Sequence, residues 1–182
     1  MNAMRIGCIT LLAIVSMRVS QVWAETAAAF IHSTAEEGSP LNGNATFTDQ
    51  AADEAGEGML AVSIQISDAP AGKHGIHIHQ FGDCGQEGQS AGGHYNPDGV
   101  PHGYLPKDGL AAAHAGDLGN IEIGEDGKGS LELTLPGVSV SEGPFTIAGR
   151  SVVLHQTVDD FGQPTGNAGG RIGCGTIIVT AD

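Results

Sequence analysis

The sequence predicts an all-β chain: eight antiparallel strands in a Greek-key sandwich or flattened barrel, with one long irregular loop. Three observations carry that expectation. Glycine supplies 29 and proline 8 of the 182 residues, which suits short strands joined by many turns and disfavours a helical bundle. Apolar residues recur with period two in short segments separated by Gly- and Pro-rich turns. Seven of the eight histidines fall between His74 and His155, most of them where that alternation lapses.

The first 24 residues stand apart from the fold. Met1 to Arg5 forms a short basic stretch, residues 6–17 are apolar, and Val22-Trp23-Ala24 offers a cleavage site. This is the pattern of a signal peptide over 1–24, and the apolar run falls short of the roughly 20 residues a membrane-spanning helix needs. The remaining domain, 25–182, begins at Glu25 and carries five cations against 21 acids, a net charge of −16. Nucleic acid and anionic membrane are therefore excluded as partners, since both require clustered cations. Removal of the leader also leaves two cysteines, Cys84 and Cys174. In an exported protein these pair by default, closing a loop of about 90 residues worth roughly 4–5 kcal/mol in chain entropy.

Strands are expected at 27–32 and 44–48, divided by the turn Glu36-Glu37-Gly38-Ser39-Pro40. Residues 60–66 alternate cleanly, with Leu60, Val62, Ile64 and Ile66 on the core face. Residues 75–81 alternate again, with histidine on the second face. Strands at 121–123, 131–135, 151–155 and 176–180 complete the eight. From Gly82 to Leu118 more than thirty residues show no sustained alternation. A loop of that length needs a metal ion or a disulfide to hold it, and it contains candidates for both.

In a strand, His77 and His79 share a face with Cα atoms about 6.6 Å apart, close enough for two imidazoles to converge on one ion. Ile76 and Ile78 then face the core, so the strand should be half-buried with a metal-binding outer face. His94, His102, His114 and Asp117 form a nitrogen–oxygen set that suits zinc as a structural ion. His77 and His79, with His155 at the end of its strand, give three nitrogen donors, whereas copper in tetragonal geometry takes a fourth. One histidine bridging two ions through both ring nitrogens would complete both sets.

The segments Gly75-Ile76-His77-Ile78-His79-Gln80-Phe81-Gly82-Asp83, Ser90-Ala91-Gly92-Gly93-His94-Tyr95-Asn96-Pro97 and His114-Ala115-Gly116-Asp117-Leu118-Gly119-Asn120 resemble copper–zinc superoxide dismutase. So does Gly166-Asn167-Ala168-Gly169-Gly170-Arg171-Ile172-Gly173-Cys174-Gly175. The resemblance, to the exported bacterial periplasmic type, runs from about Gly56 to Thr180. It implies copper on His77, His79, His94 and His155, and zinc on His94, His102, His114 and Asp117, with His94 as the shared imidazolate. It further implies Arg171 as the substrate-guiding arginine, Asp159 as the carboxylate linking a copper histidine to a zinc histidine, and a Cys84–Cys174 disulfide. His74 resembles a structural histidine. The implied reaction is dismutation of superoxide to dioxygen and hydrogen peroxide by a Cu(II)/Cu(I) ping-pong cycle.

Two departures bear on substrate steering. The stretch between His102 and His114 is longer than in eukaryotic cytosolic members, and that between Asp160 and Arg171 is shorter and lacks their lysine- and glutamate-rich insertion. The expected compartment is the bacterial periplasm, with secretion as the alternative, and a homodimer is left open. A non-enzymatic metal carrier on the same fold would have no use for an arginine beside an open metal position. A purely structural sandwich would have no use for the complete ligand set.

Overall fold

In the computed structural model, residues 24–35, 38–52 and 58–181 are described; the expected signal peptide lies outside them apart from Ala24. The strands are β1 (Thr26–Ser33), β2 (Asn42–Gln50), β3 (Met59–Ser67), β4 (Gly72–His79), β5 (Asp117–Ile123), β6 (Gly129–Pro136), β7 (Ser151–His155), β8 (Arg171–Thr176) and a short β9 (Ile178–Thr180). Eight of them follow the order β5-β4-β7-β8-β1-β2-β3-β6, with β9 on β1, and every named ladder is antiparallel. The β3–β4 and β6–β7 connections cross between the two halves, which is the Greek-key pattern. The path ends, β5 and β6, are joined by the turn in which the Gly124 N–H donates to the Lys128 carbonyl at 2.8 Å, so the barrel is nearly closed.

Size matching across strands explains the core. β1 and β2 turn small residues inward, among them Ala27, Ala29, Gly43 and Ala45, opposite the larger Leu60, Val62, Ile64 and Ile66 of β3. A Cβ on Gly43 would lie 2.6 Å from the Ile66 Cδ1. Ile31, Phe47, Ile76, Ile78, Leu118, Ile121 and Leu135 fill the centre, each side chain worth roughly 1.5–3 kcal/mol when fully buried.

The expectation of a half-buried β4 is corrected. Residues 74–79 are buried on both faces, because the long loop folds over the outer one. Ile78 N–H donates to Gly116 O at 2.9 Å and its carbonyl accepts from Tyr95 N–H at 2.8 Å, while Gln80 N–H donates to Gly93 O at 3.0 Å. A small second core of Ala91, Val153 and Cys174 seals this layer, and the Cys84–Cys174 disulfide pins it, with Cα atoms 5.7 Å apart. The loop also holds a 3-10 turn over Gln89–Ala91 and a one-turn helix, α1 (Leu105–Asp108). The strand expected at 176–180 is two strands, β8 beginning at Arg171 and β9 after the buried Ile177.

Candidate metal centre

β4 places His77 and His79 on the covered outer face, β7 adds His155 beside them, and the loop returns His94, His102, His114 and Asp117 over the same area. Two four-donor groups result, each with its ligand atoms within 4.8 Å of one another: His77, His79, His94, His155, and His94, His102, His114, Asp117. His94 belongs to both. All seven residues are buried.

The hydrogen bonds fix where the lone pairs point. A carbonyl oxygen only accepts, so His79 Nδ1, 3.0 Å from Gly92 O, and His155 Nδ1, 3.4 Å from Gly169 O, carry their protons there. That leaves both Nε2 atoms bare in the neutral rings, and they face each other at 3.3 Å. His77 Nε2 donates to Asp159 Oδ2 at 2.9 Å, leaving its Nδ1 buried and unpaired. On the other side, the Nδ1 atoms of His94, His102 and His114 surround Asp117 at 2.9, 2.8 and 3.0 Å. Those of His102 and His114 point past the carboxylate rather than along a hydrogen bond and have no other partner. Lone pair facing lone pair is unfavourable unless a cation lies between them. Copper suits the four-nitrogen group and zinc the group with the carboxylate.

The titration behaviour agrees. Burial pushes His79 down to about 2, His155 to about 3 and His94 to about 4, and lowers His77 as well. These rings are therefore neutral and available as donors at physiological pH. Burial also opposes charge on His102, but its contacts with Asp117 and Asp159 outweigh that and raise it to about 9. Asp117 is desolvated yet held well below the ordinary carboxylate range by His102, His114 and His94. The zinc-side group thus demands positive charge.

Asp159 links the two sides. Its carboxylate accepts from His77 Nε2 and from His102 Nε2, the latter at 3.0 Å. These three residues could also gather round an ion, but two accepted N–H bonds already account for the carboxylate. Asp160 instead faces outward and accepts from Asn167. Asn120 supports the link by clasping the Asp159 backbone, its Nδ2 donating to Asp159 O at 2.9 Å and its Oδ1 accepting from Asp159 N–H at 2.7 Å. Asn120 ends the segment 114–120, but nothing in the sequence ties it to a residue 39 positions away. His74 bonds the carbonyls of Pro70 and His155 and joins neither group.

Arg171 opens β8 opposite His155. Its guanidinium donates to the carbonyls of Gly88 and Gly92 and lines a cavity of about 260 Å³ with His79, His94 and His155 at its floor.

Residues 41–177 match the copper/zinc superoxide dismutase (SODC) family. The chain belongs to that family. It is similar to superoxide dismutase (Cu-Zn) 2 of Brassica juncea, 44% identical over 129 residues, 67% of this chain and 82% of the relative. It is 45% identical over 126 residues to an extracellular superoxide dismutase (Cu-Zn) of Caenorhabditis elegans, 65% of this chain and 55% of that longer protein. Among solved structures it is similar to the clock protein EA4, at 35% identity and a TM-score of 0.72, covering 90% of this chain and 100% of that one. This superoxide dismutase has a histidine-bridged copper site and a histidine–aspartate zinc site, and its activity is the dismutation of superoxide.

Proposed function

We propose that the dismutase is an exported, periplasmic enzyme in which His77, His79, His94 and His155 hold copper and His94, His102, His114 and Asp117 hold zinc. Residues 1–24 are the signal peptide and 25–182 the working domain. The observation that carries the ligand assignment is the facing bare nitrogens: His79 Nε2 against His155 Nε2 at 3.3 Å, and unpaired Nδ1 atoms on His77, His102 and His114. One cation in each four-donor group would satisfy all of them.

When bound, copper supplies reversible one-electron exchange and zinc supplies fixed charge without redox chemistry. Two superoxide ions and two protons give one dioxygen and one hydrogen peroxide. Arg171, at the wall of the cavity above His79, His94 and His155, attracts and orients the anion. His94 Nε2 takes up a proton and delivers it to the reduced oxygen, while Nδ1 stays on the Asp117 side. Asp159 holds His77 and His102 in their tautomers, and the Gly92 carbonyl does the same for His79.

Export is supported by the leader pattern and by the Cys84–Cys174 disulfide, which persists in oxidising compartments. Secretion to the cell exterior is the second reading, favoured by the extracellular nematode relative. The proposed assembly is a homodimer. Phe30 and Ile178, 69% and 64% exposed, share the outer face of the β1–β9 pair with Ala28, and no outward residue of those two strands is acidic. Two copies of an otherwise acidic chain can meet there without like-charge repulsion. Sedimentation equilibrium should give twice the chain mass, and monomer for Phe30→Ser; a wild-type monomer ends that part of the reading. Purified protein should begin at Glu25, hold about one copper and one zinc per chain, and show cyanide-sensitive dismutation. Zinc alone without activity would sink the assignment.

A further inference from the structure

The zinc-side donors are not equally sealed. The His102 and Asp117 side chains have no exposed surface, whereas His114 keeps 6% and His94 4%. His114 and His94 lie at the floor of a second cavity, about 330 Å³, rimmed by Asn96, Val100, Gln163 and Thr165. The copper-side cavity contains neither His114 nor any other residue of the second one except His94 and Thr165. Thr165, exposed, is the ridge between two mouths.

The mouths differ in charge. The copper-side mouth carries Arg171 and suits an anion, whereas the lining of the second is neutral and rich in amide and hydroxyl oxygen. A lining without fixed charge, on a chain of strongly negative total, lets a hydrated divalent cation approach, whereas the Arg171 charge at the other mouth opposes one.

The rim is also fastened. The Gln163 side chain clasps the His102 backbone from both sides, Nε2 donating to His102 O at 2.8 Å and Oε1 accepting from His102 N–H at 3.0 Å. Gln163 is itself exposed, so this pair of bonds can break without disturbing the core. We propose that zinc enters and leaves through this second mouth, and that Gln163 is the bar across it. The inference rests on the assignment of His94, His102, His114 and Asp117 to zinc. It separates the ion's path from the substrate's, so that zinc exchange and superoxide capture do not compete for one opening.

The test uses the fully metallated protein. Zinc release into a chromophoric pyridylazo chelator is followed at neutral pH, and azide binding to copper is read separately by its absorption. Val100→Trp, which fills the second mouth, should slow zinc release while azide binding stays at the wild-type rate. Gln163→Ala should speed release by about tenfold, as the loss of two hydrogen bonds implies. Gln89→Trp, on the copper-side mouth alone, should slow azide and leave zinc release unchanged. If Val100→Trp releases zinc at the wild-type rate, or Gln89→Trp slows zinc as much as Val100→Trp does, the route is wrong. A protein that takes up no zinc fails at the ligand assignment itself. One that holds one zinc but ignores Val100→Trp keeps the assignment and loses the route.

Discussion

A buried imidazole is informative through the nitrogen it leaves bare. His79, His94 and His155 are pushed down to about 2, 4 and 3 by burial, and His77 is lowered too, whereas in the unfolded chain each titrates near 6.5. Below about pH 6.5 the unfolded state therefore binds more protons than the folded one, so stability of the metal-free protein falls as pH falls. Each such histidine contributes a slope of about 1.4 kcal/mol per pH unit until its folded value is reached. His102 has the opposite sign. Raised to about 9 by Asp117 and Asp159 against the opposing effect of burial, its contribution is complete below about 6.5 and is lost as pH rises towards 9. Metal-free protein should thus be most stable near pH 6.5 and unfold steeply between about pH 6 and 4. Urea unfolding across that range is the check, and a flat profile from pH 5 to 7 would refute the buried neutral histidines. With both ions bound, protons compete with metal for the same atoms, and acid should first release metal.

At the level of strands and loops, the sequence was most readable where one face meets the core and the other meets water. β3 is the clearest case: its apolar alternation spans nearly the whole strand, and Leu60, Val62, Ile64 and Ile66 all face inward. β8 was hidden because its pattern serves a different constraint. A Cβ on Gly175 would lie 2.5 Å from the Phe30 carbonyl and one on Gly173 3.1 Å from Ile31 Cγ2, so close packing against β1 replaces apolar alternation with glycine. The residues of the two four-donor groups were legible because a metal-binding set restricts both residue type and spacing, but Gln163 and Asn120 were not. Each grips a backbone segment distant in sequence, and a single amide side chain carries no local pattern. The covering of β4 was not foreseen even though the Cys84–Cys174 tie was, since the loop meets β4 through backbone hydrogen bonds of Gly93, Tyr95 and Gly116, which carry no residue pattern. That tie gives a test. Cys84→Ser with Cys174→Ser removes the constraint on a loop of about 90 residues and should cost roughly 4–5 kcal/mol. It should also loosen the Gly92 carbonyl, which accepts from both His79 and Arg171, so copper should be lost more readily than zinc. Equal retention of both ions at undiminished thermal stability would show that the disulfide holds nothing in place.

For the molecule as a whole, the difficulty is an acidic protein that consumes an anion. Residues 25–182 carry −16, and the resulting repulsion acts over distances that salt screens within about 8–10 Å. Arg171 lines the cavity, half-buried, together with His79, His94 and His155, and a cation so placed can attract an anion locally against the unfavourable total. Yet Arg171 also bonds the Gly88 and Gly92 carbonyls, and a bracing role alone would explain its position. The two roles part under substitution. If charge is what matters, Arg171→Lys should keep most of the turnover and its decline with rising salt, while Arg171→Glu should be slow at low salt and recover as salt rises, with metal content intact in both. If bracing is what matters, lysine cannot reproduce the two-pronged contact, both variants should fall together, and the salt slope should not change sign. Stopped-flow turnover at several ionic strengths distinguishes them, and wild-type turnover in Arg171→Glu at low salt would remove Arg171 from substrate capture altogether.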